Sequence, residues 1–381
     1  MNEQVHKLAT AALLHDIGKF WSRTGKDRPF DQQERDYFGT YDHALWSAHF
    51  IEQNLKDKEM ANWVRDHHNP EGSREAMIIS LADWCSSSER AENEELDRGG
   101  SEDACLVSIF ARAGRNNNDS SNAYLPLTYH GDFSADFMPK DGEKAGEKKY
   151  QDLWDEFEKT VANPEFNKGH APHATWLALM RRFCSRIPAA TPTRYRGYVP
   201  DISLYDHSRI TAGLAACFYA DGMTEEAVRA IRTNLSEKNV SGLEDPVCRL
   251  ICGKLSGIQD FLYAVPRKGA TKTLKARSFY LQLVCEACVT YLCEQSDMPP
   301  STVIYNGGGR FYMLFPLSKD IAPITQALEQ ALVEEFHGSL SVLIGSADLA
   351  PKDFIMGKFT EKWREASDSA KLKKAQKYSQ H

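Results

Sequence analysis

Apolar residues recur at intervals of three and four from the start of the chain, at Leu8, Ala12 and Leu13 and later at Met77, Leu81 and Trp84. That period marks amphipathic helices with one buried face, so residues 1 to about 90 read as a helical region. Its opening helix runs through "ALLHDIGKFWSR" and carries His15 and Asp16. "NPEGSRE" (69–75) breaks the pattern as a loop. From 91 to 122 the chain turns polar and ends in "GRNNNDSSN", which has neither period nor apolar content and reads as a surface loop. "PKDGEKAGEKKYQ" (139–151) reads as a second solvated linker. Helical spacing returns in "HATWLALMRRFCSRI" (173–187) and "DHSRITAGLAACFYA" (206–220), on either side of the proline-bearing connector "PAATPTRYRGYVPD".

After Val247 the pattern changes. "VCRLICGKL" reads as a strand, "TLKARSFYLQLVCEACVTYLCEQ" as a long helix, and "TVIYNGGGRFYMLFPL" as two strands around a turn. "IAPITQALEQALVEEF" is a second helix and "LSVLIGSADL" a final strand. Strand, helix, strand, strand, helix, strand is the order of the split βαβ, or ferredoxin-like, unit, which places a domain boundary between about 235 and 247. The lysine-rich end, "EKWREASDSAKLKKAQKYSQH", is helical in pattern and reads as the opening helix of a further domain.

Bulk properties narrow the classes. A chain of 381 residues exceeds the size of one core, so two or three domains are expected. With 46 basic against 53 acidic residues the net charge is −7, and nucleic acid has to be met by local patches rather than a global basic field. No apolar run approaches the roughly 18 residues of a membrane span, and the start lacks a signal-peptide pattern. The expectation is a cytoplasmic protein with no membrane partner. Nine cysteines do not read as a disulfide framework. Cys285 and Cys288 have zinc-like spacing, but they sit with Cys293 in an apolar helix and no second pair follows, so buried reduced thiols are expected.

The chemistry-bearing residues lie in the helical region. His15 and Asp16 are adjacent, "YDHALWSAHF" adds His43, "VRDHHNP" adds His67 and His68, and "ISLADWCSSSER" adds Asp83 on an apolar helix. A buried carboxylate at Asp83 needs a partner, and metal coordination is one solution. Taken singly, each residue also has an ordinary role, as a satisfied core histidine or a helix cap. Taken together, the ordered series within about 70 residues favours a shared ion. Nitrogen and oxygen donors without cysteine suit Mn, Fe, Co or Ni. Such an ion lowers the pKa of bound water and neutralises charge on a phosphodiester. Lys19 could reach a phosphate, or simply lie on the helix surface.

The series resembles the HD phosphohydrolase superfamily, which uses it to hold one or two divalent metals. The resemblance implies His15 and Asp16 as catalytic residues and His15, Asp16, His43, His67, His68, Asp83 and His207 as metal ligands. Asp16 would bridge two ions. That superfamily usually carries a further histidine on a helix before the HD pair, for which there is no room here, since His6 is only nine residues upstream. "SLYDHSRITAGLAA" supplies His207 as a substitute, provided that the HD domain is circularly permuted; the alternative is a surface residue at a helix start.

"KLSGIQDFLY", "RKGATKTLKARSFYLQL" and "YNGGGRFYMLFP", with "HDIGK", "ADWCSSSER" and "DISLYDHSR", closely resemble the large subunit of type III CRISPR effector complexes, in particular subtype III-A. The resemblance covers nearly the whole chain and is weakest through 95–170. It implies an α+β protein: an all-α permuted HD domain, 1–95 completed by a helical connector over 96–235 that includes helix 206–220, then a ferredoxin-like first palm over 245–350 and the start of a helical linker domain over 351–381. It implies a single-strand-specific DNA nuclease, with guide RNA, target RNA and other type III subunits as partners. Two palms in the family make cyclic oligoadenylates from ATP with Mg²⁺, through a Gly-Gly-Asp-Asp turn that this sequence lacks. The chain is therefore expected to be an N-terminal half without cyclase activity of its own. By the same resemblance Ser256, Gly257, Asn306, Gly307 and Gly308 are candidate nucleotide contacts, though a tight hairpin explains the glycines as well. Lys268, Lys272, Lys275 and Arg277 form a basic strip for triphosphate or RNA, or a solvated helix start. Two rival functions remain open at this point: an HD phosphohydrolase acting on nucleotides or cyclic dinucleotides, and a scaffold subunit without metal.

Overall fold

A computed structural model describes residues 2–38, 42–87, 105–111, 123–131, 137–163, 172–191, 199–237, 239–264, 269–355 and 358–377. They form two compact units, residues 7–212 and residues 1–6 with 213–381. Most of the polar segment 91–122 and Lys268 lie outside the described residues.

The first unit is built from helices α1 (Glu3–Leu14), α2 (Gly18–Trp21), α3 (Gln32–Phe38), α4 (Asp42–Leu55), α5 (Lys58–Asp66), α6 (Arg74–Ser86), α7 (Glu147–Val161), α8 (His173–Cys184) and the first half of α9 (Leu204–Ala220). Two-residue strands β1 (Ala123–Tyr124) and β2 (Lys140–Asp141) pair antiparallel. An aromatic cluster fills its core. Phe20 meets Trp154 edge-on at 4.8 Å, Trp21 stacks on Trp154 at 5.3 Å, and Phe50 stacks on Phe157 at 5.6 Å. Burying each such ring contributes roughly 1.5–3 kcal/mol, which ties α2, α4 and α7 together. The stretch read as a solvated linker over 139–151 proves to hold the start of α7. Tyr150, Leu153, Trp154, Phe157 and Val161 fall on one buried stripe, while the lysines and glutamates that dominate the composition line the outer face.

The second unit contains strands β3 (Cys248–Ser256), β4 (Val303–Gly307), β5 (Arg310–Phe315) and β6 (Ser341–Leu349), with helices α10 (Glu225–Ser236), α11 (Ile258–Tyr263), α12 (Ala270–Ser296), α13 (Ala322–Phe336) and α14 (Phe359–Lys377). The strands lie in the order β4-β5-β3-β6, each pair antiparallel, with β3 between β5 and β6. Alternate residues point to opposite faces. Ile251, Leu255, Phe311, Met313, Phe315, Val342 and Ile344 face a core shared with Leu281, Val284, Cys285, Cys288 and Leu292 of α12 and Leu328 and Leu332 of α13. All nine cysteines are buried and unbridged, and burial pushes Cys285 up to about 11 and Cys288 to about 12, as fits packed thiols rather than zinc ligands.

The division between the units falls within α9, whereas composition drew it between about 235 and 247. Residues 213–236 group with the sheet because Gly213 lies against the backbone of Ser301 and Thr302, and Asp221 accepts from the Leu317 and Ser318 N–H groups at 2.8 Å each. The lysine-rich terminal helix α14, expected to open a further domain, packs on the sheet. Trp363 stacks on Tyr312 at 3.6 Å, and Ala366 and Ala370 are fully buried. Gly345 makes this approach possible: a Cβ there would run into the backbone of Ala366 and Ala370. Gly345→Ala is therefore expected to cost about 1–3 kcal/mol of stability, read as a lowered urea midpoint by circular dichroism; an unchanged midpoint would contradict this seating of α14.

Candidate metal centre

α1 ends at Leu14, so His15 and Asp16 occupy the turn before α2 rather than a continuous helix. The turn matters chemically. It brings His15 Nε2 to 3.4 Å from Asp16 Oδ2, so neighbouring side chains share one centre instead of diverging by about 100° as on a helix. Gly18 lets α2 lie against α4, since a Cβ there would strike the His43 carbonyl oxygen. The Gly18 N–H donates to Ser47 Oγ at 2.8 Å, and the Ser47 hydroxyl donates to the His43 carbonyl at 2.8 Å. His43 is thereby held beside the HD turn.

The remaining candidate ligands sit at helix ends. Asp57 caps α5 by accepting from Met60 N–H at 3.0 Å, and α5 stops before Asn69-Pro70, leaving His67 and His68 just past its last turn. Ser73 caps α6, whose last turn carries Asp83. His207 lies in the first turn of α9.

These seven side chains, far apart in sequence, converge. Asp16 Oδ1 lies 3.3 Å from His43 Nε2, and Asp16 Oδ2 lies 3.3 Å from His207 Nε2. Asp83 Oδ1 lies 3.6 Å from His15 Nε2 and 3.1 Å from His207 Nε2. His43 Nε2 and His68 Nε2 are 2.7 Å apart. His67 joins through two sets, His43-His67-His68 and His15-Asp16-His67, whose ligating atoms lie within 4.8 Å of one another. Lys19 Nζ contacts Asp16 Oδ2 at 2.7 Å. His15, His67 and His207 are buried, whereas Asp83, His43 and Lys19 keep 20, 14 and 12% of their side chains exposed, which marks the open side of the cluster.

Protonation states follow from this packing. Burial alone would raise the Asp16 carboxyl, but Lys19, His15, His207 and His43 outweigh it and hold the group well below the usual carboxylate range. Asp83 behaves alike: burial opposes ionisation, and His15 and His207 more than offset it. Burial and the neighbouring His15 push His67 down to about 4, and burial with His67 and His43 holds His68 well below its ordinary value. His15 moves the other way, because Asp16 and Asp83 outweigh its burial. Asp16 and Asp83 thus offer ionised carboxylates, and His67 and His68 neutral imidazoles, the forms that bind metal.

A divalent cation fits this donor set. Ligand atoms about 2.1 Å from one ion stand roughly 3–4 Å from each other, the spacing seen here. The Nε2 atoms of His15, His67 and His207 are buried without a hydrogen-bond partner, the state of lone pairs directed at a common centre. The His15 and His67 rings are fixed from behind, Nδ1–H donating to Ala12 O at 2.7 Å and Val64 O at 2.5 Å. Sequence reasoning missed what supports the ligands: Gly18 and Ser47 under His43, and Ser86 and Thr211 behind His207, whose hydroxyls carry no motif beyond their spacing from Asp83 and His207.

The other candidate residues belong to the sheet unit. Ser256 and Gly257 end β3, and the Gly308-Gly309 turn, with φ of 60° and 75°, joins β4 to β5. Leu255 N–H donates to Gly309 O at 2.8 Å, so Ser256, Gly257, Asn306, Gly307 and Gly308 gather at one end of the sheet. Both polar atoms of the Asn306 amide are buried without a hydrogen-bond partner. Lys272 and Lys275 are exposed on the first turns of α12. Arg277 is engaged within the unit instead, donating to the Phe261 carbonyl with its guanidinium 5.0 Å from the Phe261 ring.

An ion bound in this cluster adds to stability by linkage, about 2.7 kcal/mol at a hundred times its Kd. Mn²⁺ is expected to raise the Tm of the wild-type chain, and Asp16→Ala and His207→Ala to abolish that rise in a thermal-shift titration.

The family described as HD domain matches residues 1–88, and that described as Csm1 subunit domain B matches residues 247–381. A Methanocaldococcus jannaschii protein named CRISPR system single-strand-specific deoxyribonuclease Cas10/Csm1 (subtype III-A) is 29% identical over 97% of this chain and 50% of its own length. The Streptococcus thermophilus protein of the same name is 26% identical over 93% of this chain and 46% of its own. The chain thus spans about half the length of these curated relatives. Csm1 from T. onnurineus superposes with a TM-score of 0.72 at 21% identity, covering 99% of this chain and 50% of that one. A Csm1-Csm4 cassette in complex with cA4 superposes at 0.70 and 21% identity, covering 97% and 48%. Along nearly its whole length the chain is thus similar to Cas10/Csm1 proteins of subtype III-A CRISPR systems, with an HD domain over residues 1–88 and a Csm1 domain B over residues 247–381.

Proposed function

We propose that this chain carries the metal-dependent nuclease site of an RNA-guided type III-A effector and that it hydrolyses phosphodiester bonds of single-stranded DNA. The convergence of His15, Asp16, His43, His67, His68, Asp83 and His207 on one centre carries this reading. The names of the curated relatives, single-strand-specific deoxyribonucleases, support the substrate class.

His15, Asp16, Asp83 and His207 would hold one ion, and His43, His67 and His68 a second, with Asp16 between them. When bound, such ions supply Lewis acidity, activating water near neutral pH and neutralising charge on the phosphodiester. Asp16 and Asp83 contribute two negative charges and Lys19 one positive charge, a net −1 that favours a divalent cation over an anion. The DNA strand approaches from the side of Asp83, His43 and Lys19, where the cluster is open. There the Lys19 ammonium would meet a phosphate oxygen, while the buried imidazoles would hold the ions. Mn, Ni, Co and Fe suit this set of nitrogen and oxygen donors.

His207 lies at the centre although it follows Asp16 by 191 positions, which supports a circularly permuted HD domain whose later part ends within α9 rather than at 235. The strand order β4-β5-β3-β6 around helices α12 and α13 supports a ferredoxin-like palm over 245–350, with α14 packed on its sheet. Neighbours solved in complex with ATP and with cA4 support nucleotide binding, which at the palm would use Mg²⁺ and the residues Ser256, Gly257, Asn306, Gly307 and Gly308. Lys272 and Lys275 would meet triphosphate or RNA. Lacking a Gly-Gly-Asp-Asp turn, the chain does not make cyclic oligoadenylates alone. Its partners are guide RNA, target RNA and other type III subunits, a Csm4-like subunit among them, in the cytoplasm. No helix among the described residues is long and apolar enough to cross a membrane.

The test is cleavage of labelled DNA with Mn²⁺. Single-stranded DNA is expected to be cut and duplex DNA spared, with His15→Ala and Asp16→Ala each losing at least about 100-fold, beyond the 10–100-fold typical of groups that merely support a ligand. Hydrolysis of nucleotides or cyclic dinucleotides with intact single-stranded DNA would reassign the substrate, and an inert wild-type chain that binds no ion would make it a scaffold.

A further inference from the structure

His207 differs from His15 and His67, the other buried imidazoles of the cluster, in what holds its far nitrogen. His15 and His67 each set Nδ1 against a backbone carbonyl, which can only accept, so both rings carry their proton on Nδ1 and turn a lone pair inward. His207 Nδ1 instead meets Ser86 Oγ at 3.1 Å. A hydroxyl both donates and accepts, so Ser86 alone does not choose the tautomer. The groups on the other side pull the wrong way. Asp83 and Asp16 oxygens lie 3.1 and 3.3 Å from Nε2, and two carboxylates favour a proton there, where it would exclude a cation.

A count of hydrogens resolves the conflict. Ser86 Oγ lies 2.8 Å from Thr211 Oγ1 and 2.9 Å from the Asp83 carbonyl, and Thr211 Oγ1 lies 2.9 Å from the His207 carbonyl. With the proton on Nδ1, one direction of donation closes a ring: Nδ1–H to Ser86, Ser86 O–H to Thr211, Thr211 O–H to the His207 carbonyl. Three of the four contacts then hold a hydrogen. With the proton on Nε2, Ser86 has to donate to Nδ1 and Thr211 has one hydrogen for two oxygens, so only two of these contacts are made, and the Nε2–H itself meets neither carboxylate in hydrogen-bond geometry. The buried setting makes that missing bond costly.

We propose that Ser86 and Thr211 are positioning residues that keep His207 in the Nδ1–H tautomer and thereby set the affinity of the cluster for its divalent ion, an inference that rests on the metal-centre reading above. Ser86 follows Asp83 by three residues on α6, and Thr211 follows His207 by one turn on α9. The hydroxyl ring therefore clasps the two helices that deliver Asp83 and His207.

The test uses the full chain and two readouts other than activity. Long-range ¹H–¹⁵N spectra of the metal-free, histidine-labelled protein report which His207 nitrogen is protonated, with His207→Gln assigning the signal. Calorimetric titration with Mn²⁺ reports affinity. Wild type and Thr211→Ser, which keeps the hydroxyl, are expected to show Nδ1–H and equal affinity. Thr211→Val, nearly the same shape without the hydroxyl, and Ser86→Ala are expected to move the proton toward Nε2 and weaken Mn²⁺ binding 10–100-fold. Should Thr211→Val fail to fold, Ser86→Ala decides alone. Wild type with Nε2–H, or hydroxyl-free variants with unchanged tautomer and affinity, would overturn the proposal. A wild-type chain that binds no Mn²⁺ would overturn the metal-centre reading instead, and the spectra would still judge the hydroxyl ring.

Discussion

Two carboxylates in a shell of imidazoles govern the first unit. Removing Asp16 and Asp83 from water is expensive, and it is tolerable only because His15, His43, His207 and Lys19 surround them at 2.7–3.6 Å. That requirement dictates much of the local architecture. α1 has to stop at Leu14 so that the HD pair forms a turn, α2 needs a glycine to lie against α4, and α5 has to end at His67. The aromatic core of Phe20, Phe50, Trp154 and Phe157 then fixes α2, α4 and α7 around this arrangement. The hydrophobic packing serves the polar cluster by making its geometry rigid before any ligand arrives.

Much of this was legible in the sequence because the candidate ligands are unusual residues in unusual places. An aspartate on an apolar helix, a pair of histidines before Asn-Pro and an adjacent His-Asp each break the pattern that surrounds them, and the structure brings all of them together with His207. Order along the chain could not reveal that His15 and Asp16 sit in a turn, because helical period runs unbroken across them. Nor could it reveal Ser86, Thr211 or Ser47, since hydroxyl residues are common and their meaning depends on partners more than 25 positions away. α7 was obscured for a different reason: composition counts all residues, whereas burial uses only the stripe carrying Trp154 and Phe157.

The sheet unit was easier to read, since strand and helix periods alternate cleanly after Val247. Here the limit of sequence reasoning was α14. Its apolar content is low, yet it packs through small residues, Ala366 and Ala370 over Gly345, where close backbone approach replaces large side chains. A contact of that kind leaves little hydrophobic signal.

The separation of ligands along the chain carries a consequence for biosynthesis. Asp83 and His207 are 124 positions apart, so the pocket cannot be completed until the polypeptide has been translated through α9 and that helix has docked. A nascent chain that stalls earlier holds His15 and Asp16 without the imidazole that closes their coordination. Placing one member of the cluster so late makes its completion a property of the finished fold.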